Sequence, residues 1–505
     1  MPTDQNSLTH SFISTGVPGL DDILCGGLTR DRLYLVEGEP GSGKTTLGLQ
    51  FLVEGVKRGE RVLYISLAEN AVELRAVAAA HGWSTDGIHI HEVIPSESLL
   101  DPQEQYTMFH PSEVELGSTT QEILAAVEAL KPSRVVLDSL SELQLLAGNA
   151  LRYRRQVLAY KQFFASRACT VLLLDDRTAT SFDLQVHSIA HAVISLKQEP
   201  KEYGADRRRV RIAKYRGINF RGGLHDYAIV PGGLVVYPRL VASASRVMTK
   251  RQQFGSGLPE LDRLLGGGIE EGTSTLISGA PGTGKSSLAA QLVSAAAKQG
   301  MRAAMYIFEE SANNLLNRTD SLGMDLSGAV AAGLLTIQQI DPAELSPGEF
   351  AHSVCDSVEA GARVVVIDSL NGYLNATPDE RFLTTHLHEL LTHLGQRGVV
   401  TILVGVHQGL IGHNIANVDA SYLADNVLLL RHFEASGEVR QAVSVFKKRG
   451  GAHERSLREF SMSSQGIRVG AVLRQFQGIL TGVPTLHAGP CETDGGNPAG
   501  NGNGE

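Results

Sequence analysis

A glycine-rich loop pattern occurs twice in this chain and restricts its fold more than any other feature. The second copy reads Gly279-Ala280-Pro281-Gly282-Thr283-Gly284-Lys285-Ser286, with an apolar run before it and a helix-compatible stretch after it. This is the GxxxxGK(S/T) pattern in the strand–loop–helix context that it requires. Glycines allow successive N–H groups to face a phosphate chain. We therefore expect Lys285 to reach the β- and γ-phosphates of a nucleotide and the Ser286 hydroxyl to ligate Mg²⁺.

The first copy of the loop indicates that a whole domain is duplicated. It reads Gly38-Glu39-Pro40-Gly41-Ser42-Gly43-Lys44-Thr45 and begins 241 positions before the second copy. Residues 16–27 and 257–268 form another matched pair of segments with the same offset. A unit of this length is far longer than a solenoid repeat. Lys44 and Thr45 are therefore predicted to act in the first domain as Lys285 and Ser286 act in the second.

Each half of the chain alternates short apolar runs with helical patterns. We predict strands at 33–36, 62–66, 135–138 and 171–174, and again at 305–308, 364–367 and 401–404. Near-continuous apolar strands separated by helices indicate an α/β fold with a mainly parallel sheet covered on both faces. Each domain is expected to end in antiparallel strands, and a last amphipathic helix is expected near Val472, Leu473, Phe476, Ile479 and Leu480.

The repeat and the composition predict a simple domain order. We expect an N-terminal tail at 1–11, a first domain at 12–240, a linker at 241–253, a second domain at 254–485 and a disordered tail at 486–505. The net charge of −9 argues against binding nucleic acid through bulk charge. The four cysteines form no CxxC pair, and no apolar run approaches membrane-spanning length. We therefore expect a cytoplasmic protein that uses neither membrane nor nucleic acid as a partner.

Carboxylates follow two of the predicted strands in each half. Asp138 and Asp368 each end an apolar strand and precede Ser-Leu, as a Walker B carboxylate near Mg²⁺ would, although a helix N-cap is the structural alternative. Glu309 and Glu310 end another strand, where adjacent carboxylates can polarise an attacking water or hydroxyl. A surface pair of glutamates is the other interpretation.

The first domain has lost one of these two glutamates. Ala68 stands where the second domain has Glu309, and Glu69 follows it. If Glu309 is the catalytic base, the first domain lacks its own unless Glu69 substitutes.

Both halves carry Lys-x-Arg-Gly on a late strand. The cations are Lys214 and Arg216 in the first domain and Lys447 and Arg449 in the second. They cannot easily reach their own phosphate loop, but in a ring they could reach the γ-phosphate held by a neighbour. A solvated basic turn is the alternative.

Taken together, these motifs resemble the family of the circadian clock protein KaiC over nearly the whole chain, from about residue 12 to about 485. The resemblance implies two tandem RecA-like P-loop domains, stacked as two rings of a homohexamer with ATP at the subunit interfaces. It also implies slow ATP hydrolysis in the first ring and autophosphorylation of serine or threonine in the second.

The resemblance further implies individual roles. Ser421 falls on the acceptor serine of the family, Tyr422 falls on its acceptor threonine, and Glu309 would be the base for Ser421 across the interface and a contact for Mg²⁺. Thr46 and Ser287 follow the loops and are expected near phosphate. Leu322 departs from the family pattern near adenine, and Ala80 and Phe220 depart from it near ribose. Gln441 stands where the family has an arginine, and together these departures indicate a relative outside the strict clock type.

Other interpretations stay open at this stage. The chain could be an ATP-gated scaffold whose C-terminal segment docks a signalling protein, with Ala68 marking weakened hydrolysis. A RecA-type DNA-associated ATPase is the third hypothesis, and the basic run from Arg207 to Arg211 is its main support. His407-Gln408 is a candidate γ-phosphate sensor, or else a surface loop.

Overall fold

The computed structural model describes residues 11–93, 111–176, 183–241, 252–375, 383–406, 422–481 and 485–486. The chain divides by its contacts into two compact units, one of Met1–Arg239 with Ser346–His352 and one of Leu240–Leu345 with Ser353–Glu505. The proposed tail at 1–11, linker at 241–253 and tail at 486–505 fall almost wholly outside the described residues.

The first domain contains strands and helices in alternation, as the apolar runs predict. Its strands are β1 (Phe12–Ile13), β2 (Leu28–Thr29), β3 (Leu33–Gly38), β4 (Val62–Ser66), β5 (Ile88–Glu92), β6 (Arg134–Asp138), β7 (Thr170–Asp176), β8 (Ala192–Glu199), β9 (Arg207–Tyr215), β10 (His225–Val230) and β11 (Gly233–Tyr237). Its helices are α1 (Leu20–Ile23), α2 (Lys44–Lys57), α3 (Ala71–Ala80), α4 (Pro111–Leu130), α5 (Leu140–Ala147), α6 (Ala150–Ala165) and α7 (Asp183–Ile189).

The main sheet of the first domain is mostly parallel. Within the described ranges its order is β11-β10-β9-β8-β3-β7-β6-β4-β5, with β3 central. The strands from β8 to β5 pair in parallel, whereas β9, β10 and β11 add an antiparallel extension. Alternate residues of β3 enter opposite cores, Tyr34 and Val36 on one face and Leu33 and Leu35 on the other. Burial of both faces explains why this strand is continuously apolar.

The second domain repeats this series of elements. Its strands are β12 (Gln253–Phe254), β13 (Ile269–Glu270), β14 (Ser274–Gly279), β15 (Arg302–Ile307), β16 (Leu335–Gln339), β17 (Ala362–Asp368), β18 (Val400–Val406), β19 (Asn426–Ala435), β20 (Glu438–Lys448), β21 (Arg458–Ser463), β22 (Gly466–Val472), β23 (Phe476–Gln477) and β24 (Thr485–Leu486). Its helices are α8 (Pro259–Leu264), α9 (Lys285–Lys298), α10 (Ala312–Ser321), α11 (Leu326–Ala331), α12 (Pro347–Glu359), α13 (Leu370–Asn375) and α14 (Leu383–Gln396).

The second sheet has the same topology as the first. Its order over the described residues is β16-β15-β17-β18-β14-β19-β20-β21-β22, so β14 occupies the central place of β3. The predicted α/β class, the mainly parallel sheets and the antiparallel ends are confirmed. Among the described residues, no helix is long and apolar enough to cross a membrane.

The prediction of an amphipathic helix near the C-terminus is wrong. Residues up to Val472 belong to strand β22, Phe476–Gln477 is a short strand, and Ile479–Thr481 is a 3₁₀ turn. Gly478 has a φ of 78°, a left-handed conformation that interrupts an α-helix. The apolar spacing instead serves a small cluster in which Leu473 and Ile479 pack with Phe433 of β19.

Candidate functional site

Both phosphate loops lie at the carboxyl end of the central strand, where β3 ends at Gly38 and β14 ends at Gly279. Helices α2 and α9 begin directly after the loops, at Lys44 and Lys285. The residues that cap these helices, Gly43 and Gly284, both have a φ of 90°, which only glycine adopts easily. The helix N-termini therefore present N–H groups where an anion would sit.

The loop lysines have different surroundings in the two domains. Lys44 Nζ donates to the carbonyl oxygens of Gly38 (3.0 Å) and Glu39 (2.9 Å) and pairs with Asp176 Oδ1 at 2.7 Å. Lys285 Nζ donates to the Ala280 carbonyl at 2.9 Å. Burial lowers the pKa of Lys285, and the negative charges of Asp368 and Glu309 oppose that shift.

The two predicted Walker B aspartates each lie beside the hydroxyl that follows the loop lysine. Thr45 Oγ1 donates to Asp138 Oδ2 at 3.1 Å, and the buried Tyr64 hydroxyl donates to the same oxygen. Burial raises the pKa of Asp138, although the two donated hydrogen bonds oppose this rise.

The second domain has the matching pair, Ser286 and Asp368. Burial raises the pKa of Asp368, while a hydrogen bond from Ser286 lowers it. Mg²⁺ in nucleotide sites is held by few protein oxygens together with phosphates and waters, so one hydroxyl next to one carboxylate fits it. Within the described ranges no group of three or more His, Cys, Asp or Glu forms a protein-only metal site.

Backbone hydrogen bonds fix the alignment of the carboxylate pairs. Leu67 N donates to Asp138 O (2.7 Å), just as Phe308 N donates to Asp368 O (2.8 Å). The residue after Leu67 is Ala68, so it occupies the place of Glu309 in the second domain.

The two glutamates of the second domain have different partners. Glu309 Oε1 accepts a hydrogen bond from Ser369 Oγ at 2.8 Å. Both oxygens of Glu310 accept from Arg318, at 3.2 and 2.7 Å, and Arg318 also donates to Ser287 Oγ at 2.7 Å. The guanidinium of Arg318 occupies both oxygens of Glu310, so Glu309 is the better candidate base of the two.

Glu69, the equivalent of Glu310, lacks the arginine. The first-domain position that matches Arg318 is Val77, whose side chain packs against the apolar core. Within the described part of the chain, Glu69 Oε2 is buried and has no hydrogen-bond partner. Burial, followed by the charge of Asp138, raises the pKa of Glu69. This carboxylate is therefore better suited to take a proton near neutral pH than a glutamate in an ion pair.

The cationic turns lie level with the middle and the start of the central strands, whereas their own loops follow the carboxyl ends of these strands. Lys447 pairs with Val427, which pairs with Leu276, three residues before Gly279. Lys214 is placed in the same way, level with Leu35 through Val193. Three residues of strand correspond to roughly 10 Å. The prediction that these cations cannot easily reach their own loop therefore agrees with the strand register.

In the first domain the cations contact the carbonyl end of helix α7. Lys214 Nζ donates to the carbonyl oxygens of Ala190 (2.8 Å) and His187, and Arg216 donates to that of Ser188. Carbonyl groups at the end of a helix attract cations, so these contacts also have a structural role.

In the second domain the equivalent contacts are made to backbone carbonyls that follow the predicted acceptor serine in the sequence. Lys447 donates to Ala424 O at 2.7 Å, and Arg449 donates to Tyr422 O at 2.8 Å. The side chain of Tyr422 is 54% exposed. Ser421 and His407-Gln408 lie outside the described residues.

Three remaining predicted residues have other surroundings. Thr46 is buried on α2, and the Ser42 hydroxyl is buried without a hydrogen-bond partner among the described residues. In the basic run, Arg209 is paired with Glu199 and Asp226. That pairing leaves less positive charge for DNA than the sequence indicates.

Sequence reasoning missed three residues of these sites, namely Tyr64, Asp176 and Arg318. Asp176 becomes visible only through strand pairing, because it lies opposite Gly38 across β7 and β3. Arg318 lies on α10, whose N-cap is Ser311, and its side chain contacts Ser287 on the loop helix α9. The cap residue Ser311 is the signal from which this helix, and the position of Arg318 on it, could have been predicted.

The family model described as the KaiC ATPase matches residues 13–241 and 254–473, one match in each domain. The circadian clock protein KaiC3 of Synechocystis is 28% identical over 493 residues, covering 96% of this chain and 97% of that protein. The circadian clock oscillator protein KaiC of Acaryochloris marina is 26% identical, with 95% and 93% covered. That of Thermostichus vulcanus is 26% identical, with 96% and 94% covered.

Proposed function

The chain belongs to the KaiC family of ATPases, and from this premise we propose that it works as a homohexamer with ATP bound between subunits. The first domain hydrolyses ATP, and the second transfers a phosphoryl group to Ser421, as expected of a cytoplasmic signalling or clock-type regulator. The relatives are named circadian clock proteins, and we extend a clock-type role to this chain from that similarity.

The position of the cationic turns supports this assembly most strongly. Lys447 lies level with Leu276, three residues before Gly279, and the backbone N–H of Arg449 donates to Asp425 O, beside the start of β14. A nucleotide on the loop of one protomer would therefore be completed by the cations of the next. Cations placed at the γ-phosphate stabilise the charge that develops during phosphoryl transfer.

In the first domain, we assign the activation of water to Glu69. Its carboxylate takes a proton as the water oxygen bonds to the γ-phosphorus and the bond to the β-phosphate oxygen breaks, releasing ADP and phosphate. Thr45 and Asp138 are the residues that would hold Mg²⁺, which shields phosphate charge when bound. Lys44 orients the phosphate chain.

In the second domain, we assign the base to Glu309. It takes the proton of the Ser421 hydroxyl from the neighbouring protomer as that oxygen bonds to the γ-phosphorus and ADP leaves. Ser369 donates to one oxygen of Glu309 and thereby orients the carboxylate. Glu310 is paired with Arg318 of α10, so we assign it a structural role in holding that helix and no role in proton transfer.

A subunit-mixing experiment tests the assembly. One chain carries Lys285→Ala, the other Lys447→Ala with Arg449→Ala, and both carry Lys44→Ala so that the second domain alone is measured. Each chain alone should fail to phosphorylate Ser421. In mixed hexamers about one interface in four combines an intact loop with intact cations, so labelling of Ser421 by labelled ATP should return. No recovery in a mixture shown by native mass measurement to contain both chains would contradict the shared site.

Phosphosite mapping after incubation with labelled ATP tests the kinase step. Phosphate should appear on Ser421 and be lost in Ser421→Ala, and Glu309→Gln should slow the labelling by about a hundredfold or more. The matched control is Glu69→Gln, which removes a first-domain carboxylate and should leave Ser421 labelling in place. Equal labelling of Ser421→Ala and the parent would place the acceptor on another residue, and no labelling of either would leave an ATP-gated scaffold, docking its partner through the C-terminal segment, as the better description.

A further inference from the structure

Asp176 occupies a place in the first site that has no acidic equivalent in the second. It ends strand β7 and pairs in register with Gly38, the first residue of the loop. The residue that pairs with Gly279 in the second domain is Val406. The first domain therefore has Ala68 in place of one carboxylate and carries a different carboxylate, Asp176, on β7, the strand next to β3.

The carboxylate of Asp176 contacts the loop lysine directly. Its Oδ1 lies 2.7 Å from Lys44 Nζ, and the Lys44 side chain is only 7% exposed. The two carbonyl bonds to Gly38 and Glu39 use two further ammonium protons. An ammonium group has three protons, so all of them are engaged, and a γ-phosphate can bind Lys44 only by displacing a partner.

We propose that Asp176 competes with the γ-phosphate of ATP for Lys44 and so shifts the preference of the first domain from ATP toward ADP. This inference rests on the proposed function of the first loop as an ATP site. It concerns selectivity between substrate and product, and it assigns Asp176 no part in the bond-breaking step.

The competition follows from charge and geometry. ATP requires Lys44 to turn toward the β- and γ-phosphates, which leaves Asp176 beside the dianionic γ-phosphate with its cation withdrawn. The negative charge of Asp176 also acts on Asp138 and Glu69. ADP has no γ-phosphate, so the contact between Lys44 and Asp176 can persist with product bound. Two like charges a few Å apart at a partly buried site change an equilibrium by about tenfold or more.

Nucleotide titrations of the full chain test this. All chains carry Lys285→Ala to silence the second site, and AMP-PNP and ADP are titrated separately with Mg²⁺. We expect Asp176→Asn to tighten AMP-PNP about tenfold while ADP changes by less than about threefold. Asp176→Glu, which keeps the charge, should resemble the parent.

A matched control removes the same charge one residue earlier. Asp175 Oδ1 accepts a hydrogen bond from Ser141 Oγ at 3.0 Å, and strand alternation places its side chain on the other face of β7. Asp175→Asn should leave the ratio of the two affinities unchanged, with folding checked by thermal melting.

The outcomes separate this inference from the proposed function. An Asp176→Asn chain with an unchanged ratio, or with weaker AMP-PNP binding, overturns the competition. If neither nucleotide binds the Lys285→Ala chain, the first loop is not an ATP site and the proposed function of that domain fails instead.

Discussion

The two nucleotide sites share a fold and a loop but differ in where negative charge lies. In the second site Glu309 and Glu310 follow β15, and Arg318 neutralises Glu310. In the first site Glu69 stands without that arginine and Asp176 lies on β7. The comparison teaches that duplication conserves the phosphate-binding backbone, while the charges around the γ-phosphate change by single substitutions.

The largest expected effect is on the base of the first site. In a Lys285→Ala chain, Glu69→Gln should lower ATP hydrolysis by about a hundredfold or more, because the amide cannot take a proton from water. Steady-state phosphate release measures this. Turnover close to that of the parent would mean that Glu69 is not the base. The two sites would then not differ in the way proposed, with Glu69 as the base in one and Glu309 in the other.

The pH dependence of the same hydrolysis sharpens the comparison. Because burial raises the pKa of Glu69, the base becomes protonated at a pH above the ordinary glutamate value. Activity should therefore fall as pH decreases through that raised pKa, by up to about tenfold for each pH unit. Asp138 also has a raised pKa, so Glu69→Asp serves as the control. An acid limb that does not move in Glu69→Asp would belong to Asp138.

A smaller effect is expected where the second site is made to resemble the first. Arg318→Val installs the residue type of Val77 and leaves Glu310 beside Glu309 and Asp368 without its cation. We expect a loss of about 1–2 kcal/mol in the free energy of unfolding, reduced by the partial exposure of the pair. Thermal melting of the second domain measures it. Arg318→Lys keeps the charge and should lose less; an equal loss would point to packing instead.

The smallest effect concerns the cationic turns. His191 in the first domain matches Asp425 in the second, since their carbonyls accept from Arg216 N and Arg449 N. Burial, and then Arg32 and other nearby cations, lowers the pKa of His191 to about 4. Protonation therefore favours the unfolded chain, so stability present above the unfolded pKa near 6.5 is lost as pH falls toward 4.

That acid sensitivity can be measured directly. After discounting for the partial exposure of the imidazole, the loss should be about 1 kcal/mol in the free energy of unfolding. Hydrogen exchange of β8 between pH 7 and 5 reports it, and His191→Gln should remove the dependence. The same sensitivity in His191→Gln would assign it to another group.

Contiguous motifs made much of these sites predictable from the sequence. The residues of each phosphate loop are contiguous in the sequence. Asp138 and Asp368 can be found in the same way, because each ends an apolar run and is followed by Ser-Leu. Asp176, Tyr64 and Arg318 could not be found in this way, because strand register or helix phase brings them to the loop. The C-terminal helix was predicted wrongly because apolar spacing alone does not reveal that Gly478 turns left-handed.

Arg449 donates to the carbonyl of Tyr422, the residue that follows Ser421, and also pairs with Asp425. If Arg449 extends to the phosphate of an adjoining protomer, it exchanges these contacts for that phosphate. In the proposed ring, the arginine that holds the backbone next to Ser421 in one protomer would then also detect the nucleotide bound to a neighbouring protomer. Nucleotide binding at one site would therefore release the acceptor segment at the next by breaking the contact between Arg449 and Tyr422.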